Sequence, residues 1–354
     1  MEDIKRNRIH DILVNRIRSG SYVYGDSFLG VKDLMTEFST SYVTSCRILR
    51  SLADEGYLLC RSRSKGYTVC YMDEKHVPRT KKINFITECT RDVFEQRLFL
   101  EGKALFEKHN WKVCLHEVGY PTKIETLQEI LNEPDTYSII AGIDVPWQRF
   151  IATLKHLENR ILIIGRISHN DSISTVICDE SASVQRILQH FNACGRTRPA
   201  LIVSDSKSEL ENMRVAAWRK SLTQYGLDFH WVEEHIWAYN KSQYNDIRCF
   251  FQDILSKYGK EIDAIVLPTS FEKFAETAQE LRFRRQNILQ VAIGGNLSPE
   301  LYDIYEIDNL DNNPSGHLEL ALEIMEYRYN SGKRECGFWF FCPPGEIIRA
   351  NLKT

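Results

Sequence analysis

The chain has 354 residues, 43% hydrophobic and 26% charged, with a formal net charge of −3, which is ordinary globular usage and length for two or three domains. No window approaches ~18 uninterrupted apolar residues, which argues against a membrane-spanning helix, and the opening MEDIKRNRIHDILVNRIRSG lacks the apolar run a secretory signal needs. The ten cysteines are scattered without a CxxC pair, disfavouring a zinc ribbon or thioredoxin-like site and suiting small core residues in a reducing cytoplasm.

The net charge hides an asymmetry. Residues 1–82 hold 15 Lys and Arg against 10 Asp and Glu, and the remainder holds 30 against 38. A small basic head on a larger acidic body fits a polyanion-binding module joined to something else. In the head, Ile9, Ile12, Leu13 and Ile17 make one helical stripe within residues 3–19. Gly20 suits a C-cap and Gly25-Asp26 a turn. A second short helix, GVKDLMTEF, turns Val31, Leu34, Met35 and Phe38 inward. Ser39, Thr40 and Ser41 offer N-cap oxygens for a third, with Ile48, Leu49 and Leu52 on its inner face. Two extended runs, YLLCR and GYTVCY, joined by SRSK, read as a β-hairpin.

Three helices and a hairpin make a winged helix-turn-helix, expected over residues 1–71, with a linker over 72–82. In such a module the third helix meets base edges in the major groove, while a cationic hairpin tip neutralises phosphates and releases counterions. The expected DNA contacts are Lys32, Ser41, Tyr42, Thr44, Cys46 and Arg47 on the helices, and Arg61, Arg63, Lys65 and Gly66 on the hairpin. The competing reading is a solvated hairpin whose basic residues serve solubility.

At these residues the sequence resembles the DNA-binding domain of the gluconate-repressor (GntR) family. Gly25, Asp26, Leu34, Ser41, Thr44, Leu49, Leu52, Glu55 and Gly56 fall on that family's pattern over about 70 residues. The pattern's Pro-Ser is Leu29-Gly30 here, its first Arg is Lys32, and its recognition-helix arginines are replaced by Tyr42 and Cys46. The resemblance implies DNA binding at an unusual operator, because Arg can reach guanine in a bidentate way and Tyr and Cys cannot.

After VPRTKK the chain alternates short apolar runs with longer amphipathic ones. Strand-like KINFITE, WKVCLHEVG, YSIIAGI, RILIIGR, STVICD, PALIVSD, FHWVEEHI, DAIVLPT and ILQVAIGG separate helices expected over 91–109, 123–132, 146–158, 180–194, 208–225, 241–258 and 271–284. This is an α/β pattern of parallel sheets covered on both faces, and residues 83–354 are long enough for two lobes. Ligands in such folds sit beyond the carboxyl ends of the strands.

This body resembles the effector domain of the lactose/galactose-repressor (LacI) family. The matching blocks are DESASVQRILQHFNACGRTRPALIVSD, NMRVAAWRKSL, DAIVLPTSFEKFA, NILQVAIGGN, PSGHLELALEI and PPGEIIRANLKT, with Phe94 and Gly102 also in register. The resemblance implies a two-lobed, periplasmic-binding-protein-like domain with a small effector between the lobes. Crossings are expected near 197, 298 and 330, giving one lobe over 83–197 and 298–330 and a second over 198–297 and 331–354. The effector positions carried over are Asp179, Arg214, Thr269, Ser270 and Asn296. Phe94 could stack on a sugar or fill core; Arg91 and Asp144 stand at strand ends where they could face the crevice or cap helices. Trp218 is assigned to the core.

No catalytic motif stands out. GDSFLGVK lacks a phosphate-loop ending, HWVEEH spaces its histidines wrongly for a zinc helix, and no G-x-S-x-G or G-x-G-x-x-G stands at a strand–helix turn. The expectation is a cytoplasmic, non-enzymatic transcription regulator without cofactor or metal. It is read as a homodimeric repressor of sugar-utilisation genes that binds an operator duplex and a sugar-like effector, similar to the head-and-body arrangement of arabinose-responsive regulators. The alternatives are a regulator whose crevice has drifted to a non-sugar ligand or none, and a solute-binding protein.

Overall fold

The computed structural model describes residues 2–19, 21–22, 26–62, 66–69, 71, 80–88, 93–119, 122–143, 157–167, 173–203, 209–224, 226, 228–239, 246–267, 271–281, 287–293, 299–331 and 337–350. Three helices open the chain: α1 (Glu2–Arg18), α2 (Val31–Phe38) and α3 (Tyr42–Asp54). Ser39 takes the left-handed conformation (φ 48°) and turns the chain between α2 and α3. Strands β1 (Leu58–Ser62) and β2 (Gly66–Val69) then pair antiparallel, Leu58 opposite Val69 and Cys60 opposite Tyr67. Ile9, Leu13, Ile17, Leu34, Ile48, Leu49, Leu52, Leu58 and Val69 meet in a core of their own. The hairpin tip, with Arg63 and Lys65, lies outside the described residues.

Two six-stranded sheets form the body. The first runs β13-β7-β6-β5-β3-β4, all parallel. It contains β3 (Lys82–Thr87), β4 (Lys112–Glu117), β5 (Tyr137–Ala141), β6 (Ile161–Ile164), β7 (Ser174–Cys178) and β13 (Trp339–Cys342). α4 (Val93–Lys108) and α12 (Pro314–Ser331) bury one face of it through Leu98, Phe106, Leu318, Ala321 and Met325, while α5 (Ile124–Leu131) covers the other. Gly102 makes the α4 contact close: a Cβ there would stand 2.8 Å from the Phe85 ring and 3.0 Å from Leu318 Cδ2.

The second sheet runs β14-β12-β11-β10-β8-β9, parallel except for the β12–β14 pair. Its strands are β8 (Pro199–Val203), β9 (Ile236–Ala238), β10 (Ala264–Leu267), β11 (Leu289–Ile293), β12 (Asp308–Leu310) and β14 (Ile347–Ile348). α6 (Glu180–Ala193) and α7 (Glu209–Gln224) pack one face around a fully buried Trp218. α9 (Ile247–Tyr258), α10 (Phe271–Glu280) and α11 (Pro299–Tyr305) pack the other. The central strands β5, β8, β10 and β11 are buried end to end, as the continuous apolar runs require of parallel sheets covered on both sides.

Among the described residues the chain crosses between lobes three times, at places other than those expected. The crossings fall between β7 and α6, between β12 and α12, and between β13 and β14, rather than near 197, 298 and 330. The first differs because Val184, Ile187, Leu188 and Phe191 of α6 bury against Leu201, Val266 and Val291 of the second sheet. The third differs because β13, beyond 330, adds to the edge of the first sheet. The run FHWVEEHI is also not a strand throughout. Asp228 accepts hydrogen bonds from the His230 and Trp231 amides, capping a short helix α8 (Phe229–Glu234) before β9. Lys82 belongs to β3 rather than to the linker. The expected helix over 146–158 falls largely outside the described residues.

Candidate functional site

The start of α3 is fixed by its cap. Ser41 Oγ accepts from the Thr44 amide at 3.2 Å, and the two hydroxyl oxygens stand 2.8 Å apart. Thr44 is buried and its hydroxyl is engaged in this cap, and Ser41 is held in the same bond. Lys5 Nζ donates to the Ser39 carbonyl and ties α1 to this turn. The outward face then presents Tyr42, Val43, Cys46, Arg47 and Arg50. Tyr42 is 63% exposed. Arg47 and Arg50 make no ion pair among the described residues and line, with Arg6, His10, Asp11, Asp54 and Glu55, a cavity of about 540 Å³.

Two other basic groups of the head, Arg16 and Arg18, are engaged internally. Arg16 pairs with Glu37 and lies over the Phe38 ring. Arg18 donates to the Tyr57 hydroxyl at 2.7 Å. Lys32 is exposed on the first turn of α2. Gly66 opens β2 at φ +70°, with open space where a Cβ would stand. Arg61 lies in β1; its side chain, like Arg63 and Lys65, is outside the description.

In the body, the crossings are laced together. The Asp179 amide donates to the Cys342 carbonyl at 2.9 Å, Gly345 N to Asp311 O at 2.8 Å, and Asp311 N to Glu346 O at 3.2 Å. Arg186 donates to the carbonyls of Pro344, at 3.0 Å, and Gly345. From the first lobe, Arg97 reaches Asp311 at 3.4 Å and Glu101 receives the Ser315 hydroxyl at 2.9 Å. His317 sits inside this junction, its Nδ1 2.9 Å from the Asn313 carbonyl and its Nε2 3.8 Å from Cys178 Sγ. Burial lowers the His317 pKa, against the opposing pull of that carbonyl and Asp311. Burial pushes both nearby thiols up, Cys342 to about 11.

The carboxyl ends of the strands carry the crevice groups. Phe94 lies edge-on to His317, ring centroids 5.7 Å apart, and packs beside Gly165 at the end of β6. It is a partly buried side chain at the margin of the first lobe's core. Glu88, at the end of β3, accepts from the Thr122 amide at 3.0 Å and from its hydroxyl at 2.5 Å. Asp179 accepts from the Ala182 amide at 3.0 Å as the N-cap of α6. Arg214, in the second turn of α7, donates through Nε and Nη2 to both oxygens of Glu180, at 2.7 and 2.9 Å. Burial opposes the guanidinium's charge, but the Glu180 carboxylate outweighs it and raises the Arg214 pKa. A cavity of about 480 Å³ lies beside the pair, walled by Asp179, Glu180, Met213 and Lys220 of the second lobe and Phe341 of the first; that volume suits a small organic molecule.

Of the expected effector positions, Asp179 lines this cavity, Arg214 is held behind it by Glu180, and Phe94 packs within the first lobe against His317. Arg91, Asp144, Thr269, Ser270 and Asn296 lie outside the described residues. Glu180 was missed: the residue after the cap of an expected helix was readable as a first-turn carboxylate, but its partner was not. Val43, Arg50 and Arg6 were missed too, though the helical stripe through Tyr42 and Arg47 contains Val43 and Arg50. Among the described residues no cluster of His, Cys, Asp or Glu could hold a metal ion, and no helix is long and apolar enough to cross a membrane.

No protein-family profile matches this chain, and no curated protein does. Solved structures do. A transcriptional regulator CelR–cellobiose complex superposes with a TM-score of 0.61 at 13% identity, over 88% of this chain and 91% of that one. A LacI family transcriptional regulator from Mycobacterium smegmatis superposes with 0.58 at 15%, over 76% and 99%. The lac repressor dimer bound to operator and the anti-inducer ONPF gives 0.58 at 13%, over 77% and 94%. At these identities what is shared is architecture: the chain has the fold of the LacI-family transcriptional regulators.

Proposed function

We propose that this chain is a DNA-binding transcription regulator whose two-lobed body takes a small sugar-like effector. The observation that carries the reading is the head itself. It has its own core, yet leaves the outer face of α3 uncovered, with Arg47 and Arg50 free of ion pairs among the described residues. A winged helix-turn-helix of the gluconate-repressor type is the reading that uses this face. The expected DNA contacts are then Lys32, Ser41, Tyr42, Thr44, Cys46 and Arg47, with Arg61, Arg63, Lys65 and Gly66 on the wing. The neighbours support the rest: one is a complex with cellobiose and another holds its operator.

In this reading the protein is a cytoplasmic homodimer that represses carbohydrate-utilisation genes, its two heads on two half-sites. Effector entering beside Asp179 and Arg214, with Arg91, Phe94, Asp144, Thr269, Ser270 and Asn296 as further wall positions, must bind the DNA-competent and DNA-incompetent states unequally to switch them. A non-sugar effector is the second reading. Glu180 neutralises Arg214, and Ser270 and Asn296 carry no charge where the resembled pattern places carboxylates.

The test is fluorescence anisotropy of the whole protein on duplex DNA across about 50 to 200 mM salt, where each neutralised phosphate steepens the decline in affinity. The expected result is steep salt dependence, flattened by Arg47→Ala, and release by at least one member of a sugar panel. Absence of any duplex binding overturns the regulator; salt-sensitive binding that no sugar alters overturns the sugar effector and leaves the regulator.

A further inference from the structure

The outer face of α3 joins two kinds of side chain that folding does not call for. At 100° per residue, Tyr42, Val43, Cys46, Arg47 and Arg50 span about 140° of the helix. Thr44, Ser45, Ile48, Leu49 and Leu52 occupy the opposite, buried side. Val43 is 57% exposed beside an exposed Tyr42. A β-branched residue in the first turn gains nothing in helix propensity over Ala, and at this exposure it gains little from the core. Two apolar groups therefore lead the helix, and the cations Arg47 and Arg50 follow, beside a cavity that Arg6 and the carboxylates Asp11, Asp54 and Glu55 also line.

We propose that Val43, with the Tyr42 ring beside it, reads the 5-methyl group of thymine in the major groove. The half-site then holds thymine where the first turn of α3 docks. This rests on the DNA-binding role proposed above and adds what the helix selects. The thymine methyl is an apolar group that a base edge offers in the major groove, and apolar side chains are its partners. Guanine instead wants paired donors, which neither Val nor Tyr has. Arg47 and Arg50 match the phosphates on either side by charge. Burying one methyl against Val43 sets the scale of the discrimination at about fourfold.

The test starts from selection of duplexes from a random pool with the full-length protein. The selected duplex is then synthesised with thymine or with uracil, which lacks the methyl, at each T in turn, and titrated against wild type and Val43→Ala. At one or more positions uracil should weaken the wild-type protein about fourfold, and Val43→Ala should bind both duplexes alike. The exposed site makes Val43→Ala safe for folding, and circular dichroism checks it. Uracil and thymine duplexes bound equally by wild type, a selected pool without enriched thymine, or discrimination that persists in Val43→Ala each overturns the methyl reading while DNA binding stands. A protein that retains no duplex overturns the DNA-binding role and this inference with it.

Discussion

Glu180 and Arg214 show how much one side chain decides. The pair is bidentate, with only 4% and 15% of the side chains exposed, so neither charge has water to fall back on. Removing one partner of such a pair strands the other. Glu180→Gln should cost about 3–5 kcal/mol in denaturant unfolding, whereas Glu180→Leu with Arg214→Met should cost far less. His317 adds a pH dependence. Burial holds its folded pKa below the ordinary 6.5, so the unfolded chain takes up the proton first. Stability contributed by the neutral ring is complete above about pH 6.5 and lost as pH falls below it. His317→Gln should flatten the melting-temperature slope between about pH 7 and pH 5. Part of the slope will remain, because burial also lowers His116 and His235.

Elements were more legible than their neighbours. The stripe Val184, Ile187, Leu188 and Phe191 announced a helix with one buried face, but a stripe does not name the sheet it meets. That is why the first crossing was expected some twenty residues late. Residues 229–236 failed differently. Phe229, Trp231 and Val232 carry the apolar weight of a strand, and one cap, Asp228, turned them into a helix turn. Asp179 and Arg214 are expected at the site by likeness of pattern alone, while the Glu180 pairing depends on where two helices from separate stretches of sequence converge. Gly102 was in register with a pattern, and the structure supplies the reason: α4 lies so near Phe85 and Leu318 that a methyl does not fit. Gly102→Ala should lower stability by about 1–3 kcal/mol through overpacking, measurable by thermal or urea unfolding.

At the scale of the whole molecule, each lobe is assembled from separated pieces of the chain. β13 docks beside β7 in the first sheet although its residues come some 160 positions later, and the α12 helix that seals α4 arrives just before it. A ribosome adding roughly 5–20 residues each second would need roughly 10 to 30 s between releasing β7 and β13. For that interval the nascent first lobe has an open edge and a bare apolar flank, while the second lobe is still emerging. The order of birth thus makes the early half a natural client for chaperones, and leaves the last strand to close a structure begun long before it.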